Sequence, residues 1–285
     1  MIGRYKLKAV LELCRISNLP TVISNCTAGY LMSANIINWD LALIVIGASL
    51  LYSGGMAMND VVDAKYDIKN KPDRPIASSK LTVGFSAAFT IGLLVSGIFF
   101  LVLSKSSLLW ILALFVSIIV YNIIHKKTSS AIYVMGLCRT LLYLVAGYSF
   151  GDSFHVLAWA IVLGLYTAGI TLVARGEDSE TDASKYGYVL IYLPSCLSVY
   201  LILKGDSIDV SVLISSLLFL FWIIYCFRVL KKGGTGRIGK TVSFLIAGMC
   251  LIDSMAVSHD SGYAGLFFVF FLPLVILFQR RIAGT

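Results

Sequence analysis

Residues 40–67 read DLALIVIGASLLYSGGMAMNDVVDAKYD. The stretch 40–58 is a continuous apolar run, and about 18 such residues cross a bilayer as a helix. The run ends in Asn59, Asp60, Asp63 and Asp67. Each helical residue turns about 100°, so with Asn59 as origin Asp63, Asp67 and Asp60 fall at roughly 40°, 80° and 100°. The four polar groups therefore share one face at the mouth of a membrane helix. Three carboxylates this close repel, and a bound divalent cation or protonation would relieve them. Hard oxygen ligands suit Mg²⁺, which keeps waters and bridges to substrate phosphates. Lys71-Pro72-Asp73-Arg74-Pro75 follows. Arg74 can clamp phosphate oxygens with two parallel hydrogen bonds, and the prolines stiffen the loop that presents it. The plain alternative is a solvated, charged juxtamembrane loop.

Outward from this stretch the pattern repeats. Of 285 residues, 58% are hydrophobic and 13% charged, against about 25% charged in soluble domains. Ten apolar segments can be marked, at 16–36, 40–58, 81–103, 107–125, 131–150, 154–174, 187–204, 209–230, 241–258 and 262–279. They are continuous rather than alternating, which excludes a membrane barrel. The expectation is an all-α membrane protein, a bundle of nine to ten transmembrane helices forming one domain over 1–285. Residues 1–15 carry Arg4, Lys6, Lys8 and Arg15 and show no compact cleavage site, so the first helix is expected to be retained.

With a cytoplasmic N-terminus, 20 of the 23 Lys and Arg fall on the inner side, against Lys105 and Lys204 outside and Arg139 within a helix. That split satisfies the positive-inside rule and puts both termini in the cytoplasm of a multi-pass cell-membrane protein. It also accounts for the net charge of +8 without nucleic acid. The six cysteines form no CxxC pair and read as small hydrophobes in helices.

A second acidic cluster, Arg175-Gly-Glu177-Asp178-Ser-Glu-Thr-Asp182-Ala-Ser-Lys185, follows the sixth segment on the same side. Asp178, Asp182 and Lys185 share a helical face by spacing, although an acidic loop would read the same way. Two acidic faces with Arg and Lys nearby fit a diphosphate held by magnesium. Metal and cations would stabilise the leaving pyrophosphate, and an aromatic, apolar bundle would shield an allylic cation. Arg139 lies inside an apolar segment, where a charge costs at least about 2.5–3.5 kcal/mol unless paired or in a wet cavity. It reads either as a cavity ligand or as half of a structural pair with a helix carboxylate. Asp253 reads first as a structural partner. Asn18 and Asn25 line a cavity or glue helices together. Tyr121 orients a donor or anchors the interface, and His125 reads as interfacial.

The pattern Asn59-Asp60-x-x-Asp63-x-x-x-Asp67 followed by Arg74-Pro75 resembles the first aspartate-rich motif of the UbiA superfamily of intramembrane prenyltransferases. Asp178-x-x-x-Asp182 resembles the second, and Tyr121-Asn122 with Lys126-Lys127 resembles the family's loop after the fourth helix. Three stretches, 15–22, 135–139 and 171–177, are most similar to the EboC-like branch. The resemblance implies a central cavity open to the cytoplasmic side. It implies two Mg²⁺ held by Asn59, Asp60 and Asp63 on one side and Asp178 and Asp182 on the other, with Asp67 in support. Arg74, Lys126, Arg139, Arg175 and Lys185 become candidate diphosphate contacts, and Asn18 and Tyr121 candidate substrate contacts. Two departures stand out. Thr171 occupies a position where many members carry another Asp, and the stretch between Asp182 and Lys185 is short. The family usually has nine helices, which makes 262–279 read as an addition.

The expected function is transfer of an isoprenyl group from a prenyl diphosphate to an aromatic or small polar acceptor within membrane lipid. Catalysis would rest on Asp60, Asp63, Arg74, Asp178 and Asp182. The rivals are a transporter or carrier of a lipid or small metabolite, and a non-catalytic protein that keeps the fold.

Overall fold

The helix that begins the decisive stretch, α3 (Trp39–Val62), is started by Asn38, whose side chain accepts from the Asp40 amide. This computed structural model describes residues 2–34, 37–150, 154–175, 183–205, 209–232 and 236–282. The other α-helices are α1 (Ile2–Leu13), α2 (Leu19–Leu31), α4 (Ala64–Asn70), α5 (Val83–Leu103), α6 (Leu108–Ile124), α7 (Ala131–Ala146), α8 (Phe154–Arg175), α9 (Ala183–Lys204), α10 (Val210–Lys231), α11 (Arg237–Ala247), α12 (Met249–Ser261) and α13 (Phe271–Arg281). Short 3₁₀ stretches cover Ile16–Asn18 and Gly262–Phe270, and no strand occurs among the described residues.

Among the described residues, six helical stretches are long and apolar enough to cross a membrane: Trp39–Val62, Val83–Leu103, Phe154–Arg175, Tyr186–Lys204, Val210–Lys231 and Arg237–Arg281. Leu108–Ile124 and Ala131–Ala146 are shorter and also apolar. The chain is thus an all-helical, multi-pass membrane protein. Its outer faces carry apolar residues at helical spacing, such as Ile91, Val95 and Phe99 on α5, which are more than half exposed.

Close crossings hold the bundle. A Cβ on Gly47 of α3 would come within 2.9 Å of the Gly97 carbonyl of α5, and the reverse substitution gives the same distance. A Cβ on Gly136 of α7 would come within 2.4 Å of the Gly164 carbonyl of α8. Small residues let membrane helices approach to backbone contact. The interior is continuous across α2, α3, α7, α8 and α12, around Trp159, Tyr143, Tyr166 and Leu51.

Several expected segments are broken. Segment 16–36 starts with a 3₁₀ turn because Arg15 takes a left-handed conformation, φ 46°, and α2 restarts with Pro20 in its first turn. Segment 241–258 divides at Gly248 into α11 and α12. There the Leu245 carbonyl accepts from Tyr166 Oη at 2.8 Å and the Phe244 carbonyl from Trp222 Nε1 at 2.9 Å. A helix can break at membrane depth where neighbours take up its backbone groups. Segment 262–279 opens in 3₁₀ form after Gly262, φ 58°.

Candidate active site

The site is built where α3 ends. The backbone bonds Asp63 N to Asn59 O (3.0 Å), Asp67 N to Asp63 O (2.9 Å) and Lys71 N to Asp67 O (2.8 Å) run on through the α3–α4 junction. The i,i+4 register therefore survives the junction, and Asn59, Asp60, Asp63 and Asp67 stay on one face. All four are buried, Asp67 to 2% exposure. Turns after α4 fold Arg74 back over them, with Ser78 Oγ donating to the Arg74 carbonyl at 2.8 Å.

The carboxylates are met by cations from three directions. Arg74 Nη1 lies 2.7 Å from Asp67 Oδ2 and 3.1 Å from Asp60 Oδ1. Lys126, just past α6, places Nζ 2.8 Å from Asp63 Oδ1 and 3.5 Å from the Tyr66 ring centre. Arg15, at the left-handed turn before α2, places Nη2 3.8 Å from Asp60 Oδ1. His125 Nε2 lies 3.0 Å from Asp63 Oδ2 and 3.3 Å from Asn59 Nδ2. Partial desolvation, and then the guanidiniums of Arg74 and Arg15, lower the pKa of Lys71 beside the cluster.

Arg15, Arg74 and Lys126 meet the negative charge of the three carboxylates. Asp67 Oδ1 nevertheless is buried without a hydrogen-bond partner.

One turn deeper, an apolar pocket opens between α3, α6 and α7. Tyr52, Gly55, Ile118, Tyr121, Asn122, Met135 and Arg139 are among its lining residues. Tyr121 stacks on His125, ring centres 5.4 Å apart, and so joins the pocket to the acidic cluster. Asn122 Nδ2 donates to the Ile118 carbonyl at 2.9 Å.

Arg139 touches the pocket but belongs to a deeper network. Its Nη1 donates to Asn25 Oδ1 at 2.8 Å and its Nη2 to Thr21 Oγ1 at 3.1 Å. Asn25 Nδ2 donates to Asp253 Oδ2 at 2.8 Å, and Ser24 Oγ also donates to that oxygen. Arg175 Nη2 and Nη1 donate to the His125 and Ser129 carbonyls, at 3.2 and 3.4 Å, rather than meeting the carboxylates. Asn18 is not among the pocket-lining residues. Its Oδ1 accepts from Gln279 of α13 at 3.0 Å, because the 3₁₀ turn that carries it faces that helix. Thr171 Oγ1 donates to the Thr167 carbonyl of its own helix at 3.0 Å. Asp178 and Asp182 lie outside the described residues, as does the Lys185 side chain. Sequence reasoning missed Arg15 and His125 as members of the site.

Comparison with known proteins sets this site in context. A digeranylgeranylglyceryl phosphate synthase of Methanococcus aeolicus is 24% identical over 266 residues, covering 85% of this chain and 94% of the relative. A UbiA homologue of Aeropyrum pernix K1 superposes with a TM-score of 0.65 at 13% identity, over 84% of this chain and 96% of its own. One from Archaeoglobus fulgidus, bound to GPP and Mg²⁺, superposes with a TM-score of 0.60 at 15% identity, over 91% and 99%. Residues 22–252 match the model of the UbiA prenyltransferase family, and the chain belongs to that family.

Proposed function

We propose that this protein is a Mg²⁺-dependent intramembrane prenyltransferase that takes its isoprenyl group from a prenyl diphosphate. One observation carries the reading: three buried carboxylates face three cations at the mouth of an apolar pocket. These charges balance. A metal and a polyanion can therefore enter together at little electrostatic cost, whereas either alone would upset the balance. The donor set fits magnesium, since Asn59, Asp60, Asp63 and Asp67 offer hard oxygens and Asp67 Oδ1 has no hydrogen-bond partner. Asp178 and Asp182 would complete the metal shell from the opposite side.

Magnesium, when bound, supplies positive charge that stabilises the leaving pyrophosphate. The chain does the rest. Arg74 and Lys126 turn from carboxylate to phosphate oxygens, with Arg175 at the edge of the same charge field. The donor's C1–O bond breaks and its electron pair departs with pyrophosphate. The pocket excludes water from the allylic cation, and the Tyr52 and Tyr121 rings offer it their faces. The acceptor then forms the new bond to C1 and gives up a proton. Arg139, at the pocket wall, is placed to contact the acceptor or the prenyl chain.

The acceptor on this reading is aromatic or small and polar. Relatives named digeranylgeranylglyceryl phosphate synthase add a phosphoglycerol acceptor to that range. The reading also takes 1–285 as one domain of nine to ten crossings, with both termini cytoplasmic, and places it near the EboC-like branch. The test is purified protein with labelled prenyl diphosphates of increasing length, with and without Mg²⁺, beside Asp63→Ala. Metal-dependent pyrophosphate release that the variant loses supports the proposal; donors left intact by the wild-type protein at every length overturn it.

A further inference from the structure

A second charged region lies at the turn between α10 and α11, away from the acidic cluster. α10 ends in Arg228, Lys231 and Lys232, and α11 begins with Arg237 and Lys240. Residues 210–252 contain no Asp or Glu. Among the described residues none of these cations is paired with a carboxylate. Arg228, Lys232, Arg237 and Lys240 are all exposed. The region faces the same side as the acidic mouth. Gln279 of α13 donates both to the Ser243 carbonyl of α11, at 3.2 Å, and to Asn18, close to the Arg15 turn, at 3.0 Å.

An aromatic cluster stands beneath these cations. The Trp222 and Tyr225 rings of α10 lie 5.7 and 5.6 Å from the Phe244 ring of α11, and Trp222 Nε1 donates to the Phe244 carbonyl at 2.9 Å. These contacts fix how the two antiparallel helices are paired. At 100° per residue, Tyr225, Arg228 and Lys232 fall within about 60° on α10, and Arg237, Lys240 and Phe244 within about 60° on α11. Arg228 stands about 4.5 Å beyond Tyr225 along its helix, and Lys240 about 6 Å beyond Phe244. Lys240 Nζ lies 5.8 Å from the Phe244 ring centre. Two pairs of cations therefore converge over one aromatic platform, and Tyr225 is 46% exposed beside it.

We propose that the α10–α11 hairpin is a binding site for the phosphate headgroup of an anionic phospholipid in the leaflet on the side of the acidic mouth. Charge complementarity carries the proposal. Four cations without acidic partners need an anion. Aromatic rings settle at the boundary between hydrocarbon and headgroups, and Lys and Arg just beyond that boundary meet lipid phosphates. Arg228, Lys232, Arg237 and Lys240 hold the phosphate, while Tyr225 and Phe244 take the glycerol and the upper acyl chains. Charges that only anchor the inner face would need neither this convergence nor the aromatic floor. The bound lipid would brace α11 against α10 just before the division at Gly248.

The test is native mass spectrometry of the full-length protein in detergent, with phosphatidylglycerol or phosphatidylcholine of the same acyl chains. The wild-type protein should retain phosphatidylglycerol in preference to phosphatidylcholine. Arg228→Gln with Lys240→Gln should weaken phosphatidylglycerol binding about 25-fold, at about fivefold per cation, and leave phosphatidylcholine unchanged. Lys232→Gln alone, a change at an exposed helix end, should weaken it about fivefold. Lys105→Gln with Lys204→Gln removes the same charge elsewhere and should leave both lipids as in the wild type. Equal retention of the two lipids by the wild type overturns the site, as does wild-type binding in Lys232→Gln. Equal loss of phosphatidylglycerol from the two charge-removing pairs would reduce the effect to net charge and also overturn it. Displacement of phosphatidylglycerol by millimolar inorganic phosphate would assign the cations to a soluble anion instead of a lipid.

Discussion

Among the described residues, carboxylates are buried in two places and neutralised differently. At the inner mouth, Asp60, Asp63 and Asp67 share Arg15, Arg74 and Lys126, and Arg74 alone contacts two of them closely. The partners come from helix ends and turns, and the Lys126 side chain is 35% exposed. In the interior, Asp253 of α12 is fully buried and meets Ser24 and Asn25 of α2, which pass the contact to Arg139 of α7. Those partners sit mid-helix. The first arrangement can exchange partners because helix-end side chains move without disturbing the bundle. The second cannot, because removing a partner leaves a polar group stranded in a medium that offers no water. The mouth can therefore exchange partners as the proposed chemistry requires, and the interior network holds α2, α7 and α12 in register.

Substitutions should separate these roles. The largest effect is expected for Asp60→Asn. It keeps the shape but removes one negative charge, so pyrophosphate release should fall about 10³-fold, roughly 4 kcal/mol of barrier. Its unfolding temperature in detergent should stay near that of the wild type. Equal losses of activity and stability would break the distinction. Asp253→Ala should do the reverse. Leaving Arg139 and Asn25 without their anchor should cost about 3 kcal/mol of stability, read as earlier thermal unfolding, while protein that remains folded releases pyrophosphate at close to the normal rate. Adding Arg139→Ala should cost less than the sum of the two single changes, because the contacts belong to one network. Strict additivity would show that the two residues are independent.

The difference between the regions also explains what could be read in advance. Asp60, Asp63 and Asp67 were legible because i,i+3 and i,i+4 spacings are local and the backbone keeps that register through the α3–α4 junction. Arg74 was legible because it follows within one turn-rich loop. Arg15 and His125 were not, since each reaches the cluster from a separate element. Arg15 does so through a left-handed turn, φ 46°, that its residue type does not announce. His125 looked interfacial because its position after an apolar segment is also where interfacial residues sit. The division at Gly248 was hidden as well. Both flanks are apolar, and the groups that reach the Leu245 and Phe244 carbonyls, Tyr166 and Trp222, lie on other helices.

The smallest effect tests the edge of the mouth. Arg175 resembles a diphosphate contact by sequence, yet its guanidinium reaches the His125 and Ser129 carbonyls. Hydrogen bonds at a partly exposed site contribute about 0.5–1.5 kcal/mol net. A residue that only positions the loop after α6 should therefore show, as Arg175→Gln, about a threefold rise in KM for the donor with kcat nearly unchanged. A direct phosphate contact would be charge-assisted and strengthen as the leaving group gains charge, so its loss would lower kcat by about 10²-fold. Steady-state kinetics over a range of donor concentrations distinguishes the two, and a kcat loss of that size would move Arg175 from the loop's support into the charge-exchanging set at the mouth.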